Sequence, residues 1–148
     1  MTKILNTINT FCQLIVISFS LFSISSCKDE ENNNIPLVQV DFVINIDDPD
    51  YLNLKTIGGS VEVIGGSRGI LLYRLSNETI NAFDRHCTFQ PSNTCAIISA
   101  DPSSITATDH CCGSVFLLST GDVSQPPAST PLKQYNTNFD GTTLRVFN

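Results

Sequence analysis

Cys87, Cys95, Cys111 and Cys112 are the residues of this chain best equipped for chemistry, with His86 beside the first and Asp109-His110 just ahead of the last two. Thiols, imidazoles and a carboxylate gathered in two short runs are the side chains that ligate soft and borderline metals or exchange disulfides. Thioredoxin-type chemistry is not indicated, because Cys-x-x-Cys is absent. His86-Cys87 suggests a thiol nucleophile, but that chemistry needs a depressed thiol pKa and a fold to supply it. A serine, a histidine and an aspartate are all present, yet no nucleophile motif places them, so hydrolase chemistry is not expected. Gly58-Gly59 and Gly65-Gly66 lack the lysine and following helix of a phosphate loop and read as turns. Asp47, Asp48 and Asp50 read as a solvated turn rather than a calcium site.

The compartment decides how cysteines behave. Lys3 is the only charged side chain before Cys27, Phe11 to Phe22 is mostly apolar, and small residues follow. A basic start, a short apolar core and small residues before a cut site read as an export signal over residues 1–26. Ile24-Ser25-Ser26-Cys27 resembles a bacterial lipobox, which implies that Cys27 is lipidated and becomes the new N-terminus. The next residues, Lys28-Asp29-Glu30-Glu31-Asn32-Asn33-Asn34, have no apolar side chain, so residues 27–36 are expected to form a disordered acidic tether. The expected location is the cell envelope, anchored by lipid to the outer membrane and facing the periplasm or the surface. The membrane is then the one partner implied; no protein partner is named by the sequence.

Residues 37–148 are left for one small domain, enough for a single core. The chain carries a net charge of -6, which becomes -7 once Lys3 is removed with the signal, and its basic residues are scattered. Nucleic acid is therefore not an expected partner. Of six cysteines, Cys12 leaves with the signal and Cys27 takes the lipid. Four cysteines in an exported domain suggest two disulfides, with three possible pairings. Neighbours such as Cys111 and Cys112 rarely pair, so Cys87 and Cys95 are each expected to bond one of them.

The elements that must position these residues read as strands. Alternating or β-branched runs occur at Leu37 to Ile44, Ser60 to Ile64, Gly69 to Leu75, Asn81 to Arg85, Cys95 to Ser99, Ile105 to Thr108 and Ser114 to Leu117. Lys133 to Phe139 and Thr143 to Phe147 flank Asp140-Gly141, a strong hairpin signal. No convincing helix is seen, and Asp47-Asp48-Pro49-Asp50 reads as a breaker. Many short strands predict an all-β fold, antiparallel sheets in a barrel-like sandwich.

Cys111-Cys112-Gly113-Ser114-Val115-Phe116 resembles the second cluster-binding loop of Rieske iron–sulfur proteins, roughly Cys-x-Cys-His-Gly-Ser-x-Phe. The resemblance extends through the proline loop Pro126-Pro127-Ala128-Ser129-Thr130-Pro131 and the closing hairpin. It implies a Rieske fold with two loops facing one another. The family holds a [2Fe-2S] cluster on two cysteines and two histidines. Carried onto this chain, those ligand positions are Cys87, Phe89, Asp109 and Cys112. Phe89 cannot ligate, and the oxygen of Asp109 is a poor match for a soft cluster. His86 and His110 each stand one residue from a ligand position, and a one-residue slip turns a side chain to the other face. They are read as surface or rim residues, and as substitute ligands only if the loops bend. The family's bridging cysteines fall at Cys95 and Cys111. The resemblance thus implies a Cys95–Cys111 disulfide, with a second bridge, Cys87–Cys112, where the cluster would sit.

These readings predict a lipid-anchored module with a Rieske-like domain and no cofactor, serving in binding or structure rather than as an enzyme. A [2Fe-2S] electron carrier with an altered ligand set and a thiol–disulfide redox protein are the alternatives.

Overall fold

The computed structural model describes residues 35–102 and 105–148. Residues 1–34, with the signal, Cys27 and most of the tether, lie outside the described residues. Among the described residues, no helix is long and apolar enough to cross a membrane.

The fold is all-β, in two antiparallel sheets, one of them curled as a half-barrel. In chain order the strands are β1 (Asp41–Asn45), β2 (Ser60–Val63), β3 (Ile70–Arg74), β4 (Ile80–Asp84), β5 (Ile98–Ala100), β6 (Thr106–Asp109), β7 (Val115–Leu117), β8 (Val123–Gln125), β9 (Gln134–Phe139) and β10 (Thr143–Phe147). Six strands form the larger sheet in the order β1-β10-β9-β4-β3-β2. The other four, β5-β6-β7-β8, form a consecutive meander inserted between β4 and β9.

The central strands β3 and β4 are buried along their whole length. Side chains alternate across a strand, and here both faces carry core residues. Ile70 and Leu72 join Ile80, Ala82, Leu144 and Val146 in a first core. Leu71, Tyr73 and Phe83 point the other way and meet Ile98, Ala107, Phe116, Leu118 and Leu132 in a second core, which links the larger sheet to the meander. Cys87 belongs to that second core.

Three elements differ most from the expectations, and β5 begins at Ile98 rather than at Cys95. A 3-10 helix, Pro49–Lys55, occupies the place of a simple break. Pro49 suits the first helical position, where its missing N–H costs nothing, and Leu54 anchors the turn at 0% exposure. The first strand starts at Asp41 rather than Leu37, and Leu37 is 85% exposed. Val40 O accepts the Asn148 N–H at 3.1 Å, but Val40 N–H donates to Asn148 Oδ1 at 2.9 Å, so a side chain takes one of the two ladder bonds. Val123–Gln125 is a strand that alternation does not reveal, a short polar edge that pairs irregularly with β7.

Candidate functional site

The two cysteine loops leave neighbouring ends of the fold. The first follows β4 and runs from Cys87 to Ala96, closed by the Cys87 N–H donating to Ala96 O at 3.1 Å. The second is the tight turn between β6 and β7, closed by the Gly113 N–H donating to Asp109 O at 2.7 Å. Gly113 sits there at φ +80°, a backbone state that disfavours side chains.

Asp84, at the end of β4, organises the approach to the first loop. Its carboxylate is fully buried and accepts from Ser67 N–H at 2.7 Å, His86 N–H at 2.9 Å and the Tyr135 hydroxyl at 2.7 Å. Burial, and then the hydrogen bond to Asp84, push the Tyr135 hydroxyl well above its ordinary range. Gly66 packs here at φ +57°, and a Cβ would lie 2.6 Å from both Asp84 Oδ2 and Tyr135 Oη. The adjoining Arg68 guanidinium donates to the carbonyls of Pro91, Asn93 and Ala96, clamping the first loop. Sequence reading missed Ser67, Arg68 and Tyr135, because their partners lie 17 to 51 residues away.

His86 is a structural residue. Its ring is 4% exposed, with Nδ1 2.9 Å from Ser67 Oγ and Nε2 2.7 Å from Pro91 O. A carbonyl only accepts, so Nε2–H donates to Pro91 O. Both ring nitrogens are occupied by loop contacts. His110 is exposed. Phe89 packs its ring against the second core.

The second loop is tied down from several sides. Cys95 and Cys111 form a disulfide, as the resemblance implies. Asp109 is fully buried, and its Oδ1 accepts the Cys111 N–H at 2.7 Å. Ala128 N–H donates to Ser114 Oγ at 2.9 Å, and Gln125 Nε2 donates to Gly113 O at 3.0 Å, joining the proline loop to the turn. Thr88 Oγ1 donates to Thr130 O at 2.6 Å from the first loop.

Between the loops, Cys87, Asp109 and Cys112 converge, with their ligand atoms all within 4.8 Å of one another. Cys87 Sγ lies 3.9 Å from Cys112 Sγ, and both cysteines are thiols. The second bridge implied by the resemblance is therefore not formed in this structure. Cys112 Sγ sits instead 3.3 Å from Asp109 Oδ2 and 3.0 Å from Ser114 Oγ, and accepts the Ser114 N–H at 3.4 Å. Burial pushes the Cys87 thiol far up, and the neighbouring Asp109 carboxylate adds to that shift.

Three of the four positions that the resemblance assigns to ligands thus come together, and the fourth, Phe89, supplies no donor. Two thiols and one carboxylate do not fit a [2Fe-2S] cluster, which takes four ligands from cysteine and histidine. Neither His86, with both nitrogens engaged, nor exposed His110 completes the set. No protein-family model and no curated protein matches this chain.

Proposed function

We propose that this chain is an exported lipoprotein, anchored to the cell envelope through Cys27, whose Rieske-like β-domain is a binding or structural module without a [2Fe-2S] cluster. One observation carries the reading: Cys87, Cys112 and Asp109 converge between the loops while Phe89, at the fourth position, packs against the second core. That donor set is one ligand short and of the wrong kind. The Cys95–Cys111 disulfide joins the two loops covalently, so they need no cluster to hold them together. A thiol–disulfide enzyme needs a thiolate at neutral pH, and the buried Cys87, its thiol pushed up, is a poor one.

The absorption spectrum of anaerobically purified protein tests this reading. A colourless protein without iron is expected. Visible bands with equal iron and acid-labile sulfide would restore the electron carrier. Fatty-acid incorporation in cells, abolished by Cys27→Ala, checks the anchor.

A further inference from the structure

We propose that Cys87, Cys112 and Asp109 form a three-ligand site for a single thiophilic divalent cation of the zinc class. The argument is geometric. Zinc binds thiolate sulfur at about 2.3 Å and carboxylate oxygen at about 2.1 Å in a tetrahedron. Two such sulfurs then stand about 3.8 Å apart, and a sulfur and an oxygen about 3.6 Å apart. The observed separations are 3.9 Å between the sulfurs and 3.3 Å from Cys112 Sγ to Asp109 Oδ2. Two edges of that triangle thus match to within a few tenths of an ångström, and the third, between Cys87 Sγ and the Asp109 carboxylate, is within 4.8 Å.

The charges point the same way. Cys87 and Asp109 are both 0% exposed, and no basic side chain forms a salt bridge with Asp109 among the described residues. A buried carboxylate without a counter-charge is costly. A cation between it and two thiols removes that cost. On binding, each thiol releases its proton to solvent and its sulfur lone pair forms the bond to the metal. The ion's two positive charges then meet two thiolates and one carboxylate.

The surroundings are those of a supported site. The Cys111 N–H holds Asp109 Oδ1, leaving Oδ2 turned toward Cys112. The Ser114 N–H donates to Cys112 Sγ. Such outer contacts fix ligand orientation and tune affinity. Three protein ligands leave a fourth position for water or an exchangeable ligand. Sulfur donors disfavour magnesium and calcium, which take oxygen.

The proposal goes beyond the module reading and is tested separately from it. Cobalt(II), then zinc, is titrated into the full chain, purified with the Cys95–Cys111 bridge intact. The expected result is one equivalent of cobalt, with thiolate charge-transfer and tetrahedral ligand-field bands, displaced by one equivalent of zinc. Cys112→Ser should remove most of the charge-transfer intensity. Asp109→Asn, which keeps the side-chain volume, removes a direct ligand and should weaken zinc by roughly 100-fold or more, beyond the 10–100-fold typical of outer partners. His110→Ala should change neither. In the unaltered chain, zinc should protect Cys87 and Cys112 from alkylation, a readout that does not depend on a variant folding. A colourless protein with no cobalt–thiolate band overturns this site and leaves the module reading standing. Bands that persist in a folded Cys112→Ser protein, or a Cys87–Cys112 bridge in protein mapped without reduction, also overturn it.

Discussion

Asp84 shows what a single buried carboxylate does for this protein. It gathers backbone N–H groups from the Gly66 turn and from His86, and it takes the Tyr135 hydroxyl from a strand 51 residues away. Tyr135→Phe removes a hydrogen bond to a charged group and should cost about 1.5–3 kcal/mol, measured by urea unfolding. The pH dependence has a definite sign. Tyr135 holds its proton more tightly when folded than at its ordinary value of 10.0. The stability it contributes is therefore complete below pH 10.0 and is lost as pH rises above it. Stability measured between neutral pH and the alkaline range should fall more steeply for the unaltered protein than for Tyr135→Phe. Equal slopes would mean that Tyr135 is not coupled to Asp84.

At the scale of elements, the two loops are held by unlike means. Arg68 and His86 clamp the first loop through carbonyls. The second is closed by its own turn and braced by the proline loop. The Cys95–Cys111 disulfide joins them across a sequence separation of 16. On the chain-entropy account a bridge of this span contributes about 3 kcal/mol. The double change Cys95→Ser, Cys111→Ser should lower the unfolding free energy by about that amount. Both cysteines are exposed, so the loss comes from the link and not from packing. An unchanged midpoint in denaturant would show that the hydrogen bonds holding each loop to the rest of the fold suffice alone.

For the whole molecule, the central strands matter most. Because β3 and β4 carry core residues on both faces, one core stabilises the larger sheet and the other joins it to the meander. Phe116 is fully buried in that second core, with Phe83 and Leu118. Phe116→Ala should cost about 3–5 kcal/mol through lost burial and the cavity left behind. The unfolding transition should stay single while moving to lower temperature, since β3 and β4 belong to both cores. Two separate transitions would show that the meander and the larger sheet fold independently. Cys87 also lies in this core, so the thiol site is coupled to the packing between the sheets.

Most strands were legible because alternation, β-branching and Asp140-Gly141 are local signals. The 3-10 helix and β8 were not, because a buried leucine and an edge pairing decide them. The sequence by itself determined the all-β class and the cysteine runs that meet at the loops. The resemblance already implied Cys95–Cys111; only the tertiary structure decided the fate of the other pair, leaving Cys87 and Cys112 as thiols beside Asp109 instead of the implied bridge. Local periodicity sets which face a side chain takes. The distance between a sulfur on one loop and a sulfur on another depends on how Arg68, Ser114 and the second core bring the loops together.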